Sequence, residues 1–266
     1  MQRNHIKHTL KDGGWVLGTC LTDYLGPEAV TVLKAAGLDH FFIDAEHSRA
    51  SFTDIQNLVR AAKGANIVPL VRIANIEYAL VARMLDCGAF GIVAPRIERP
   101  EQVEELVKIM KFPPRGIRGY GLRNIINDFE FTGAQSEMDS SDNETMVIPQ
   151  VETKAAVECI EEIASIPGVD ATMVGPFDLS VSLGIPGQFD SPIFWDAFDR
   201  MVEGCNKHGV APGVHAGNPE MLQKCKDHGA RLLFCGTDVS VMLKGFKGIR
   251  AAFPTGGEKG GAGGYM

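Results

Sequence analysis

Short apolar runs and amphipathic stretches alternate along this chain almost from end to end. Runs at 16–21, 40–44, 68–73, 91–97, 146–151, 171–174, 211–215 and 232–236 are mostly near-continuous in apolar residues rather than strictly alternating. That pattern predicts parallel strands covered on their outer faces by helices. Between them, segments 27–36, 52–63, 77–85, 100–110, 153–165, 193–208, 219–228 and 239–251 predict helices. Their ends are well marked. Ser51 or Thr53 can cap the second helix, Asn218-Pro219-Glu220 opens the seventh, and Gly37, Gly64, Gly209 and Gly229 sit at or just past helix ends.

Eight strands alternating with eight helices is the count of a closed (β/α)8 barrel, the TIM barrel. A doubly wound open sheet usually carries a glycine fingerprint after its first strand, and Gly18-Thr19-Cys20-Leu21-Thr22-Asp23 is not one. The expectation is therefore a single α/β barrel domain over residues 1–255, with residues 256–266 as a flexible tail. Residues 112–145 fall outside the alternation and hold PPRGIRGYG and the polar QSEMDSSDNET. So long a connection suggests a lid, a binding loop or disorder.

Composition narrows the function without naming it. The net charge of −7 over 266 residues argues against nucleic acid or an anionic membrane surface as partner. No apolar run is long enough for a membrane span, and the N-terminal MQRNHIKHTLKDGG lacks the apolar region of a secretory signal. The six cysteines are scattered without metal-ligand spacing, which fits a reducing, cytoplasmic setting. An acidic chain that handles an anionic substrate needs local compensation, from a metal or a buried arginine.

In a barrel, active sites lie at the C-terminal ends of the strands. Strand two ends in Asp44-Ala45-Glu46-His47, strand three holds Arg72, strand five leads into Gln150-Val151-Glu152, and strand six leads into Gly175-Pro176-Phe177-Asp178. Glu152 and Asp178 follow adjacent strands, so their carboxylates can converge on one cation. Two carboxylates plus solvent suit Mg²⁺ or Mn²⁺. A guanidinium in the apolar run at Arg72 needs an anionic partner. None of the eight predicted strands contains a lysine, and Lys154 lies one turn into a helix, which disfavours Schiff-base chemistry. His215 ends strand seven and either lines an acceptor pocket or caps the strand. Arg115 and Arg118 either hold a distal carboxylate or brace a subunit contact, the second being favoured.

Six motifs occur in order: IDAEH (43–47), PLVRI (69–73), LDCGAFGIVAPRI (85–97), PPRGIRGYG (113–121), PQVET (149–153) and GPFDLSVSLG (175–184). From about residue 15 to about residue 252 the chain thereby resembles the HpcH/HpaI class II pyruvate aldolases, barrels of the phosphoenolpyruvate/pyruvate-domain type. The resemblance implies an enzyme, a metal-dependent carbon–carbon lyase that splits 4-hydroxy-2-oxo acids into pyruvate and an aldehyde, or joins them. It implies Glu152 and Asp178 as ligands of a divalent cation (Mg²⁺, Mn²⁺ or Co²⁺) and His47 as catalytic base, paired with Asp86. It implies Arg72 and Gln150 as pyruvate contacts, and Asp44 and Glu46 as acids beside waters on the metal. The backbone of Gly175, Pro176, Phe177 and Asp178 would cradle the substrate carboxylate. It also implies a homo-oligomer, a hexamer built as a trimer of dimers.

Two departures stand out: Ala45 where the family often has Gly, and Phe177 where a small residue is common. The second puts the aldehyde partner in question. Competing expectations are a CoA-thioester lyase of the citryl or malyl type, a 2-oxo-acid decarboxylase or carboligase on the same barrel, and a non-catalytic 2-oxo-acid or metal-binding protein. The first should carry basic residues for CoA phosphates, and no such cluster is present.

Overall fold

The computed structural model describes residues 2–121 and 125–253. Parallel strands β1 (Val16–Leu21), β2 (His40–Asp44), β3 (Val68–Arg72), β4 (Gly91–Ile97), β5 (Met146–Val151), β6 (Met173–Val174), β7 (Gly213–Ala216) and β8 (Leu232–Thr237) close in chain order, with β8 pairing back to β1. Helix α1 (His5–Lys11) precedes the barrel. Helices α2 (Pro27–Ala35), α3 (Phe52–Ala65), α4 (Tyr78–Asp86) and α5 (Pro100–Met110) follow the first four strands in turn. Helix α6 (Ala134–Glu144) leads into β5, which α7 (Lys154–Glu158) and α8 (Ile160–Ser165) follow. Helices α9 (Pro176–Ser182) and α10 (Pro192–Lys207) join β6 to β7, α11 (Pro219–Asp227) joins β7 to β8, and α12 (Asp238–Ala252) comes last. The predicted barrel is thus present, while the tail at 256–266 lies outside the described residues.

Apolar packing forms an inner and an outer layer. Phe42, Leu70, Val93, Ile148, Met173 and Phe234 belong to the cluster that fills the barrel, and Ile6 and Leu10 of α1 close it at the end where the strands begin. Between strands and helices, one cluster serves the first half of the chain and a second serves the other half. Helix α3 shows the local logic. Ser51 and Asp54 form a reciprocal capping box, Ile55, Leu58, Val59 and Ala62 recur at helical spacing toward the barrel, and left-handed Asn66 stops it.

The structure differs from the sequence pattern in four places. The single helix expected at 153–165 breaks at Cys159 into α7 and α8. Strand β6 is shorter than 171–174, with Ala171 reaching Ala211 through an isolated bridge. The polar stretch within 112–145 is helix α6, whose buried residues are Glu137, Ser141 and Asp142. Finally, this connection runs from the end of α5 to the start of β5, at the N-terminal end of the strands. It is therefore no lid over the mouth of its own barrel.

Helix α12 departs from its neighbours in another way. None of its residues is buried, and Val241, Leu243, Phe246 and Ile249 are each more than half exposed. A mostly apolar cavity of about 610 Å³, lined by Leu17, Leu21, Val32, Leu33 and Met242 among others, opens beside it against β1 and α2.

Candidate active site

Strand register builds the first part of the mouth. β2 and β3 pair so that Asp44 stands opposite Arg72. Arg72 Nε and Nη2 donate to the two Asp44 oxygens at 2.9 and 2.7 Å, a bidentate fork that fixes the guanidinium plane. The backbone then wraps Asp44, whose Oδ1 also accepts from the amides of Glu46 and His47. Burial pushes the Asp44 carboxyl up, but the hydrogen bonds and charge of Arg72 outweigh it and hold it below the usual range. Among the described residues Arg72 Nη1 makes no side-chain hydrogen bond, and Arg72 lines the mouth cavity. Asp44 was expected beside waters on a metal; both its oxygens accept from Arg72, and Oδ1 also from this turn.

The second part is acidic. Glu152 follows β5 and is buried, with Oε2 taking a short hydrogen bond from Gln150 Nε2. Its Oε1 accepts the Arg96 backbone N–H at 2.6 Å. That amide is aimed by an irregularity in β4 between Ala94 and Ile97, where Arg96 takes a left-handed φ of 55°. Gly175 leaves room for them, since a Cβ there would lie 2.9 Å from Glu152 Oε2 and force it to shift. Burial raises the Glu152 pKa, the bonds from Arg96 and Gln150 offset part of this, and the charges of Asp178 and Glu46 push it further up. Burial likewise raises Glu46, against the opposing pull of Arg72 and His47.

A divalent cation fits this arrangement. A Glu152 carboxylate raised by the neighbouring charges of Asp178 and Glu46, with oxygen donors throughout, is the kind of set a hard cation prefers. Gln150 Oε1 is buried with no hydrogen-bond partner, a polar atom still to be satisfied. Among the described residues no three His, Cys, Asp or Glu side chains gather to hold an ion by themselves. Glu152 and Asp178 would thus share the ion with substrate or solvent oxygens.

His47 is at this mouth, 72% exposed, with Nε2 3.5 Å from Glu46 Oε1. Asp86 is not. It closes α4 at the opposite end of the barrel and accepts from Arg118 Nη2 at 2.8 Å. The expected His47–Asp86 pair therefore does not form within one chain, and any contact between the two would have to run between copies. Arg118, fully buried, and Arg115, paired with Asp142 at 2.9 Å, stand at that same far end. Neither can hold a distal carboxylate in its own chain's mouth.

The remaining wall is more apolar. A cavity of about 370 Å³ is lined by Arg72, Gln150 and Asp178 on one side and by Met173, Phe177, Phe189, Met221 and His215 among others. Phe177 is 63% exposed, its ring centroid 6.4 Å from that of Phe189. Pro176 opens α9, so the amides of Phe177 and Asp178 begin a helix without intrahelical acceptors. His215 lines the cavity and bonds through Nε2 to the Gly236 carbonyl at 2.9 Å. The Arg96 amide could not be read from the sequence, because a backbone group leaves no mark in residue type, and neither could Phe189, which arrives from a loop.

Residues 25–244 match the family described as HpcH/HpaI aldolase/citrate lyase. A hydroxypyruvate/pyruvate aldolase from Roseobacter denitrificans is 30% identical over 95% of this chain and 98% of its own. A 5-keto-4-deoxy-D-glucarate aldolase from Klebsiella pneumoniae is 29% identical over 88% of this chain and 91% of its own. Among solved structures, an HpcH/HpaI aldolase from Desulfitobacterium hafniense superposes with a TM-score of 0.89 at 33% identity, covering 95% of this chain and 98% of the other.

Proposed function

Because the chain belongs to the HpcH/HpaI aldolase/citrate lyase family and is a pyruvate-dependent aldolase, we propose that it cleaves and forms 4-hydroxy-2-oxo acids with a divalent cation held by Glu152 and Asp178. The ion would be Mg²⁺, Mn²⁺ or Co²⁺. One observation carries this: three carboxylates and an unpartnered Gln150 oxygen stand with Arg72 at one mouth. A bound cation would supply a Lewis acid for the keto oxygen of a 2-oxo acid.

The chain's own groups do the rest. Arg72, held flat by Asp44, donates Nη1 to the oxygen that gains charge as the C3–C4 bond breaks. The Phe177 and Asp178 amides receive the substrate carboxylate. His47, beside Glu46, takes the proton of the C4 hydroxyl and returns it in the carboligation direction. Gln150 holds Glu152 in place and offers its free oxygen to a donor in the mouth.

The chain works as a homo-oligomer in this proposal, a hexamer by family resemblance. The apolar face of α12 and the uncovered groove beside it support a second copy as partner. Cytoplasmic location is supported by six cysteines that all remain unpaired. No helix among the described residues is long and apolar enough to cross a membrane.

The test is pyruvate release from a panel of 4-hydroxy-2-oxo acids. Chelation should abolish it, and Mg²⁺, Mn²⁺ or Co²⁺ should restore it. Borohydride added with pyruvate should leave no covalent adduct. A pyruvyl-lysine seen by mass spectrometry would sink the proposal.

A further inference from the structure

The mouth has a half for the 2-oxo acid, around Arg72, Gln150, Glu152 and Asp178, and a second wall that the chemistry above leaves unassigned. His215 stands in that second wall. Its ring is held edge-on to Phe42, with centroids 5.2 Å apart at 89°, and against Phe234 at 6.3 Å and 74°. Its Nε2 lies 2.9 Å from the Gly236 carbonyl, which can only accept, so Nε2 carries the proton. In the neutral ring Nδ1 is then a lone-pair acceptor, and among the described residues it has no partner. Burial favours that neutral ring, and the charge of Arg72 adds to the effect against the Gly236 bond. The residue is thus a rigid acceptor of one hydrogen bond, bordering the same cavity as Phe177, Phe189 and Met221.

The charges of this cavity are equally telling. Among the described residues Arg72 is the one cation lining it, and Arg72 belongs to the oxo-acid half; the other charged lining residue, Asp178, is an anion. Arg115 and Arg118 are spent at the far end of the barrel. A second carboxylate on the aldehyde would enter this wall without a partner, at the cost that unpaired buried charge carries.

We infer that His215 reads the aldehyde: its Nδ1 accepts a hydrogen bond from a hydroxyl of the acceptor, so the site selects uncharged hydroxyaldehydes over alkyl and carboxylated ones. This rests on the aldolase proposal above and adds to it the acceptor class and the residue that chooses. Phe177, Phe189 and Met221 enclose the carbon chain, and Nδ1 supplies a polar contact on a wall that also carries Asn218, Thr237 and Ser240. A site built to bond a hydroxyl rejects the analogue without one, because its own polar atom is left unsatisfied.

The experiment is carboligation with pyruvate, comparing kcat/KM for glycolaldehyde, propanal and succinic semialdehyde with Mg²⁺ or Mn²⁺ supplied. Propanal matches glycolaldehyde in size and lacks the hydroxyl. The wild type should favour glycolaldehyde over propanal by about 10-fold or more, the scale of one hydrogen bond with an orphaned partner, and over succinic semialdehyde as well. In His215→Leu the glycolaldehyde-to-propanal ratio should collapse toward one. His215→Asn, whose oxygen can take the place of Nδ1, should recover part of it, so a general loss of packing is told apart from loss of the acceptor atom. An unchanged ratio in His215→Leu, or a wild type that prefers succinic semialdehyde, overturns the inference. Deuterium exchange at the pyruvate methyl group, run on the wild type without any aldehyde, separates the two levels. Exchange present with an unchanged ratio overturns the role of His215 and leaves the aldolase proposal standing. Exchange absent at every metal overturns both.

Discussion

At the N-terminal end of the barrel, Arg118 is bonded to Asp86 and Ser141, Arg115 to Asp142, and Lys7 to Asp170. Lys111 is buried there too, its ammonium held by oxygens of Asp142 and Thr145, with burial pulling its pKa down to about 8. At the C-terminal end, burial and the charges of Asp178 and Glu46 raise the proton affinity of Glu152, Gln150 Oε1 is buried without a hydrogen-bond partner, and Arg72 lines the open cavity. Charge is plentiful at both ends, so its presence alone does not mark a site. The difference lies in closure. At the first end each named charge has an ion or hydrogen-bond partner, with Arg118 Nε a buried nitrogen left over, and these charges hold loops and helices in place. At the second end the group left over borders an open cavity, where the missing partner is a ligand.

The largest expected effect follows at the open end. Glu152→Gln and Asp178→Asn should each abolish tight cation binding in calorimetry and lower pyruvate release by about 10³ or more, given that Lewis-acid stabilisation amounts to several kcal/mol. Their melting temperatures should hold or rise, since mutual repulsion is relieved. A marked fall in melting with activity per folded molecule intact would place these carboxylates with the far-end architecture.

His47→Ala comes next. It should keep cation and pyruvate binding and lose about 10²–10⁴ in cleavage rate, the usual contribution of a positioned base. Asp86→Asn sharpens the contrast, because its bond to Arg118 predicts a loss of stability with little loss of rate. A fall in rate at unchanged melting would instead assign Asp86 to the His47 of a neighbouring copy.

At the closed end, Asp142→Ala should destabilise by about 2–4 kcal/mol in denaturant unfolding, since it strands the Phe112 amide and removes the anion beside Lys111. Pyruvate release per folded molecule should stay within about twofold. An equal loss of activity and stability would break the distinction between the ends.

The smallest effect at neutral pH comes from inside the barrel. His40 is fully buried with neither ring nitrogen bonded, and desolvation lowers its pKa to about 3. The unfolded chain protonates near 6.5, so below that pH it binds a proton that the folded barrel refuses. Stability is therefore complete above about pH 6.5 and declines toward pH 3, by at most about 1.4 kcal/mol per unit from this group. His40→Phe should flatten that part of the profile.

The strands and the mouth were legible because apolar runs and the polar residues at their ends are features of residue type. Asp44, Arg72, Gln150, Glu152 and Asp178 all stand where strand ends predict. The position of Asp86 was legible as well, since a residue that closes a helix in this fold lies at the far end; motif order obscured what topology states. Helix α6 was hidden for a different reason. It is stabilised through Glu137, Ser141 and Asp142, so it lacks the apolar period that announces most helices. The partners of Arg115 and Arg118 depend on that same segment and were equally out of reach.

Arg96 carries a consequence for heredity. Its bond to Glu152 comes from the main chain, and only the left-handed turn of β4 delivers it. Selection at this position acts on the shape a residue permits, with its charge a separate matter. Glycine and asparagine tolerate such a backbone, whereas branched residues resist it. In a saturation library screened for pyruvate release, Gly and Asn should survive at 96 while Val, Ile and Thr disappear, although all five lose the guanidinium charge alike.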